Sequence, residues 1–303
     1  MLLDTSHISI DRLSDPALTN RGISVSVLRL DKLHPIVSGN KLFKLNYFLQ
    51  DILDGNAPKR LLTFGGAYSN HLVATAYACK IFNIPAIGIV RGERPPTLSQ
   101  TLRQCIEYGM EFQYITRDLY NRKDSPEVLE MMKRVWGDCV IVPEGGHHPL
   151  GAKGAAHIND YCPDDFTHIC SAAGTATTIA GIISACNPSQ KAIAIPVLKG
   201  MTDIHKRIRA VTTENIHLSR LEIFDNYHFG GYAKKTGILL DFMNDIYEKH
   251  HIPTDFVYTA KMLYAIFDLI KQGYFPENSK IVCVHTGGLQ GNNSLPKGTL
   301  IFE

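Results

Sequence analysis

The chain has 303 residues, of which 45% are hydrophobic and 20% are charged, and its formal net charge at pH 7 is +2. These values are typical of a globular protein that is large enough to divide its core between two lobes. A charge so close to zero indicates no basic surface for nucleic acid or for an anionic membrane. No apolar run is long enough to span a bilayer, and residues 1–4 do not have the pattern of a secretory signal.

The seven cysteines are spread along the chain, and no two of them form a C-x-x-C pair. Their odd number and their apolar surroundings, as at Cys283, favour reduced and buried thiols over a disulfide framework or a zinc site. We therefore expect a cytoplasmic protein. The histidine pairs at 147–148 and 250–251 do not have metal-ligand spacing, and no G-x-S-x-G motif indicates a serine hydrolase.

Short apolar runs alternate with segments of helical periodicity, which predicts βαβ units and parallel sheets between helices. The predicted strands are 23–30, 60–64, 86–90, 111–115, 140–142, 168–171, 192–196 and 280–285. The predicted helices are 70–81, 98–108, 127–136, 175–185, 238–247 and 260–272. A further helix should run from Lys41, with Asn40 as its cap.

The run 143–149, which is rich in proline, glycine and histidine, interrupts this alternation near the middle of the chain. We therefore predict an α/β protein of two lobes, each an open, twisted and mostly parallel sheet that is flanked by helices. The larger lobe would consist of residues 1–46 and 149–303, and the smaller lobe of residues 47–148.

Ligands of open α/β sheets bind beyond the carboxyl ends of the strands, so the loop after strand 168–171 is a candidate site. Small residues there let an anion approach the backbone, and the following helix start offers free N–H groups. The loop lacks the G-x-G-x-x-G and P-loop patterns, so one phosphate group suits it better than NAD or ATP. For this loop alone, an ordinary capped helix is the favoured explanation. The residues that would line the phosphate site are Ala173, Gly174, Thr175, Ala176 and Thr177.

The loop after strand 60–64 has the same layout, with two glycines before a helix that Ser69 or Asn70 could cap. Hydroxyl, amide and imidazole groups at a helix start (Ser69, Asn70 and His71) suit a substrate carboxylate. Plain capping, with His71 on the helix surface, explains the same residues.

Lys41 is by itself an ordinary lysine, because most lysines are solvated. A helix that starts there places Lys41 and Lys44 on one face. One amine could then bond a cofactor carbon while the other meets its phosphate. Only a neutral amine attacks a carbonyl carbon, and burial near a second cation lowers the pKa of a lysine.

Together these segments resemble the 1-aminocyclopropane-1-carboxylate (ACC) deaminase and D-cysteine desulfhydrase family, and the matching motifs run from about residue 36 to residue 291. The family belongs to the fold-type II enzymes, which are similar to the tryptophan synthase β subunit. The resemblance implies pyridoxal 5'-phosphate as cofactor, with its Schiff base on Lys41 and Lys44 near its phosphate. It also implies a homodimer that acts on a small amino acid.

The same resemblance implies roles for further residues. Ser69 and its neighbour His71 would hold the substrate carboxylate, and Asn70 would also contact the phenolic oxygen of the cofactor. Two active-site tyrosines correspond to Tyr232 and Tyr258. The chain departs from the family pattern at Tyr68, which would reshape the substrate pocket. It departs also at Ser38, at 172–173 and in a shortened segment after Arg91.

Two positions bear on the subclass. Members that resemble ACC deaminases have an acidic residue after the second tyrosine and an apolar residue before the late Gly-Gly. This chain has Thr259 and Thr286 there, as members similar to D-cysteine desulfhydrase do. A carboxylate keeps the pyridine nitrogen protonated and makes the ring a stronger electron sink than a hydroxyl does. Opening a cyclopropane needs the stronger sink, whereas a thiolate leaves readily.

The resemblance therefore implies a lyase that eliminates the β-substituent of a small D-amino acid, with D-cysteine as the best guess. Lys41 would be the general base and Tyr258 would position a proton. Two alternatives stay open: an ACC deaminase that produces 2-oxobutyrate, and a protein that binds a phosphate ligand without catalysis.

Overall fold

The computed structural model describes residues 1–2, 4–15, 21–34, 39–212 and 216–302. Ser38 lies outside these residues. Within them the chain forms an α/β architecture in which helices cover two mostly parallel sheets, as predicted. No helix in the described ranges has the length and apolar character needed to cross a membrane.

The strands are β1 (Ser9–Leu13), β2 (Ser24–Arg29), β3 (Leu61–Gly65), β4 (Ala86–Arg91), β5 (Met110–Ile115), β6 (Val140–Val142), β7 (His168–Ala173), β8 (Lys191–Pro196), β9 (Leu221–Ile223) and β10 (Lys280–His285). The helices are α1 (Asn40–Leu53), α2 (Asn70–Ile81), α3 (Gln100–Glu107), α4 (Arg117–Asn121), α5 (Pro126–Trp136), α6 (Pro149–Ala156), α7 (Thr177–Ala185), α8 (Ile204–Arg209), α9 (Gly237–His250) and α10 (Thr259–Lys271). Every predicted strand and helix is present, with ends that differ from the prediction by at most three residues.

The larger sheet has six strands in the order β1-β2-β10-β7-β8-β9, and the smaller sheet has four in the order β5-β4-β3-β6. Strand β1 pairs with β2 antiparallel, whereas the other pairs are parallel. The smaller sheet uses strands from the middle of the chain, and the larger sheet uses strands from both flanks. The division into lobes at residues 46 and 148 stays a prediction.

Neighbouring residues of the central strands face different hydrophobic cores. Ile169 packs into the cluster that contains α1, whereas Cys170 packs into the cluster that contains α10. Both residues are fully buried, as expected for parallel strands that are covered on both faces.

Helices α1, α6 and α7 pack with their backbones in close approach. A Cβ at Gly154 would collide with the carbonyl group of Phe43, and a Cβ at Gly181 would collide with the backbone of α6. These glycines therefore bring the first turn of α1 against the first turn of α7. The lysines of α1 thus lie close to the loop that follows β7.

Candidate active site

A cavity of about 480 Å³ opens beyond the carboxyl ends of β3, β7 and β10, beside the first turn of α1. Helix α1 contributes Lys41 and Lys44 to its wall, and the loop after β3 contributes Tyr68, Ser69, Asn70 and His71. The loop after β7 contributes Ala173, Gly174, Thr175 and Ala176, and the later part of the chain contributes Tyr232, Tyr258 and Thr286. The structure thus brings together residues that the sequence separates by more than two hundred positions.

Two predicted site residues do not lie at the cavity wall. The Thr177 hydroxyl is within 2.9 Å of the Thr175 hydroxyl and 3.2 Å of His147 Nδ1. The Thr259 hydroxyl donates to Asp255 Oδ1 at 2.7 Å. Direct contact of these two threonines with a cofactor stays a prediction.

Helix α1 begins one residue earlier than predicted, and Gly39 rather than Asn40 is its N-cap. Gly39 has φ +68°, and a Cβ there would collide with the backbone of Thr286 and Gly287. Asn40 is instead buried inside the first turn, where its Nδ2 donates to Thr178 Oγ1 at 2.6 Å. The expectation that Asn40 caps the helix was therefore wrong. The missed signal was the glycine, since only that residue tolerates this backbone and this approach.

The amine of Lys41 donates to Asn40 Oδ1 at 2.6 Å. Burial lowers the pKa of Lys41 to about 8, and the charge of Asp255 opposes that shift. Burial and the charge of Lys41 hold the pKa of Lys44 well below its ordinary value. The two amines are therefore much easier to deprotonate than solvated lysines, which is what a nucleophilic amine requires.

Ser69 caps α2 by accepting a hydrogen bond from the backbone N–H of Leu72 at 3.3 Å. His71, the second residue of α2, is 3% exposed. The interpretation that places it on the helix surface was therefore wrong. Because the hydroxyl of Thr63 donates to the Val142 carbonyl at 2.8 Å, its oxygen accepts from His71 Nε2 at 2.9 Å.

His71 Nδ1 is then unprotonated, and it is buried without a hydrogen-bond partner in the described part of the chain. Burial and the charges of Lys41 and Lys44 lower the pKa of His71 to about 3. The ring is therefore neutral, and this nitrogen accepts hydrogen bonds. It cannot donate one to a carboxylate, which leaves the Ser69 hydroxyl and the backbone N–H groups of α2 as donors.

Tyr232 and Tyr258 form an edge-to-face pair whose ring centroids are 6.0 Å apart. Burial raises the pKa of Tyr258 well above its ordinary value, and Tyr232 adds to that shift. Burial also raises the pKa of Tyr232, so both hydroxyls keep their protons at neutral pH.

Asp255 is a buried residue of this region that the sequence analysis missed. Its two carboxylate oxygens accept from the backbone N–H groups of Val257, Tyr258 and Thr259 and from the Thr259 hydroxyl. An aspartate just before a helix start could have been recognised as a capping residue. Because four donors occupy its oxygens, this carboxylate orders the start of α10 and is not free to bind a ligand.

Glu144, Arg91 and Arg207 also line the cavity, and the sequence analysis gave none of them a role. The Tyr120 hydroxyl donates to Glu144 Oε1 at 2.9 Å, and Lys123 Nζ lies 3.3 Å from Glu144 Oε2. Glu144 stands in the run 143–149, which was interpreted only as an interruption of the strand and helix pattern.

The residues at the cavity suit a small aromatic aldehyde that carries a phosphate. The free N–H groups at the start of α7 follow Ala176, whose φ of +66° turns the chain into the helix without a side-chain cap. Gly174 leaves room beside the ring of Tyr258, since a Cβ there would lie 3.3 Å from Tyr258 Cε1. Lys44 donates to the Gly145 carbonyl at 3.1 Å and has further N–H groups for an anion.

Comparison with known proteins agrees with this fit. The family model described as pyridoxal-phosphate dependent enzyme matches residues 4–287. A protein of Pyrococcus horikoshii named putative 1-aminocyclopropane-1-carboxylate deaminase is 30% identical over 285 residues, which cover 89% of this chain and 86% of the relative. The D-cysteine desulfhydrase of Klebsiella pneumoniae is 24% identical, with 92% of this chain and 90% of that protein covered.

The crystal structure of an ACC deaminase homologue has a TM-score of 0.79 and 28% sequence identity to this chain. The match covers 96% of this chain and 92% of that one. The fold is therefore that of the fold-type II enzymes, as expected, and the cofactor is pyridoxal 5'-phosphate. The chain belongs to the pyridoxal-phosphate-dependent enzymes, in the family of the ACC deaminases and D-cysteine desulfhydrases.

Proposed function

We propose that this enzyme is a lyase that eliminates the β-substituent of a small D-amino acid, with D-cysteine as the best candidate. The products would be pyruvate, sulfide and ammonia. When bound, pyridoxal phosphate supplies an electron sink for the charge that develops on the substrate Cα.

The observation that carries this proposal is the set of groups beside Thr286. Thr286 lines the cavity, and four donors occupy the carboxylate of Asp255. Within the described residues the carboxylate that lines the cavity is Glu144, which is held by Tyr120 and Lys123. If a hydroxyl rather than a carboxylate meets the ring nitrogen of the bound cofactor, the electron sink would be weaker, and this would suffice when a thiolate leaves.

The residues around Lys41 have separate roles in this proposal. Lys41 would hold the cofactor covalently, and its free amine would take the proton from the substrate Cα. Asn40 orients that amine through its 2.6 Å hydrogen bond. Ser69 and the N–H groups of α2 hold the substrate carboxylate, and Asn70 also contacts the cofactor. His71 accepts a hydrogen bond from a ligand N–H or O–H group.

The phosphate would be held by Lys44 and the start of α7. Tyr258 would lie against the cofactor, and Tyr232 would donate a proton at the cavity mouth. Tyr68, which is 73% exposed, would bound the space for the substrate side chain.

An ACC deaminase that produces 2-oxobutyrate is the second candidate, and the names of the relatives support it equally, as for the Pyrococcus horikoshii protein. Thr259 and Thr286, which stand as in members similar to D-cysteine desulfhydrase, support elimination over ring opening. A binding protein without catalysis is disfavoured by Lys41, because a phosphate binder has no need of a nucleophilic amine. We also propose the homodimer and the cytoplasmic location that the resemblance and the cysteine pattern imply.

The test is the release of sulfide and pyruvate from D-cysteine by protein supplemented with pyridoxal phosphate. L-Cysteine serves as the stereochemical control, and the Lys41→Ala variant serves as the control for cofactor chemistry in free solution. We expect the wild type, but not the Lys41→Ala variant, to release both products from D-cysteine. Equal release by the variant, or release from L-cysteine only, would contradict the proposal.

A further inference from the structure

Lys261 on α10 is fully buried, although the proposed reaction does not use it. Its Nζ donates to the carbonyl oxygen of His228 at 2.9 Å and to that of Gly231 at 2.8 Å. Burial lowers the pKa of Lys261 to about 8, and the charge of Asp255 opposes that shift. At neutral pH the side chain is therefore an ammonium, and both hydrogen bonds are charge-assisted.

The segment that receives these bonds has an unusual backbone. Phe229, Gly230, Gly231 and Ala233 have φ values of 51°, 92°, 121° and 53°. Side chains such as those of Phe229 and Ala233 disfavour this left-handed region. A strained segment of this kind persists only where its surroundings hold it. Lys261 binds the carbonyl of His228, just before the segment, and that of Gly231, within it.

Tyr232 lies within this segment. Tyr232 is 50% exposed as a residue, and its ring packs edge-to-face on Tyr258 at the cavity wall. Residues 232–238 are all exposed, so the core does not bury the chain here. The buried Gly231, bound by Lys261, is thus the anchor that immediately precedes Tyr232.

We propose that Lys261 is a positioning residue, which holds the segment 228–233 and thereby sets Tyr232 against Tyr258 at the mouth of the cavity. The effect on turnover rests on the proposed function, since it requires Tyr232 to take part in the reaction. The tether itself can be measured without any substrate.

The first test is limited proteolysis of the cofactor-loaded protein with trypsin, because Lys234 and Lys235 are exposed next to the tethered segment. Lys261→Met keeps the length of the side chain but removes its donors. We expect cleavage at these two lysines to become about tenfold faster or more, with the visible absorbance of the bound cofactor retained. Lys271→Met is the matched control, since Lys271 is an exposed residue of the same helix.

Gly231→Ala disturbs the same anchor from the side of the segment. A Cβ at Gly231 would meet Lys199 Cβ at 3.5 Å, which is ordinary contact, so the strain comes from its φ of +121°. We expect this variant also to be cleaved faster at Lys234 and Lys235. Cleavage of both cofactor-loaded variants at the wild-type rate would overturn the tether.

The second test is a double-mutant cycle on turnover. If Lys261 acts through Tyr232, then Lys261→Met combined with Tyr232→Phe should be no slower than Tyr232→Phe alone. Losses in kcat that multiply in the double variant would overturn the positioning role. If the wild type converts no amino acid, the proposed function fails, whereas the cleavage comparison still decides whether Lys261 holds the segment.

Discussion

The reactivity of Lys41 depends on its surroundings, and the variant Asn40→Asp tests that dependence. With a pKa of about 8, about one amine in ten is neutral at pH 7, against about one in three thousand for a lysine at the ordinary value of 10.5. The Asn40 oxygen lies 2.6 Å from Lys41 Nζ. Even at the dielectric constant of water, a unit negative charge at that distance stabilises the ammonium by about 1.6 kcal/mol, or about one pKa unit.

The assay is the rate at which the apoprotein captures pyridoxal phosphate covalently, trapped with borohydride over a range of pH. We expect a midpoint near pH 8 for the wild type. Asn40→Asp should raise the midpoint by about one unit or more and slow capture at pH 7 by about tenfold. Asn121→Asp, an exposed substitution of the same type, is the control and should change nothing. A wild-type midpoint near 10.5, or one that Asn40→Asp leaves unchanged, would mean that the surroundings of Lys41 do not control its pKa.

Three further predictions concern the same region. Lys41→Ala should abolish both turnover and the covalent trapping of the cofactor by borohydride. If the variant still traps the cofactor, and mass spectrometry maps it to Lys44, the wrong lysine has been assigned. Gly39→Ala should lower the free energy of unfolding by about 2 kcal/mol or more, because a left-handed φ and a collision with Thr286 add together. Denaturant titration measures this loss. A variant with the wild-type denaturation midpoint would show that the start of α1 is free to move. Because folding lowers the pKa of Lys41, the unfolded apoprotein binds more protons than the folded apoprotein between about pH 8 and about pH 10.5. The stability of the apoprotein should therefore rise with pH across that window. The rise should be smaller in Lys41→Met.

Much of the fold follows from the sequence because its strands and helices have strong periodicity. Helix α2 begins and ends at the predicted residues, since Ser69 provides a cap and Asn83 stops it soon after Ile81. Strand β1 was missed, because it is an edge strand with alternating polar residues and an antiparallel partner. Strand β9 has three residues, which is too short for a period to show.

The candidate site was predictable where loops follow strands, and less so where a role depends on tertiary contacts. The burial and tautomer of His71 depend on Thr63 and Val142, which come from two different strands. Asp255 is a single aspartate in an apolar run, so the sequence does not reveal the four donors around it. The hydrogen bond from Lys261 to Gly231 joins residues thirty positions apart, and no local sequence pattern predicts it.

The measurement that tests the central claim most directly compares D-cysteine with ACC as substrates of the same cofactor-loaded preparation. We predict sulfide and pyruvate from D-cysteine and no 2-oxobutyrate from ACC, because the chain has Thr259 at the position that is acidic in members that resemble ACC deaminases, and because four donors occupy the Asp255 carboxylate. Substantial 2-oxobutyrate from ACC would contradict it, since it would mean that a hydroxyl at this position suffices to open the cyclopropane ring.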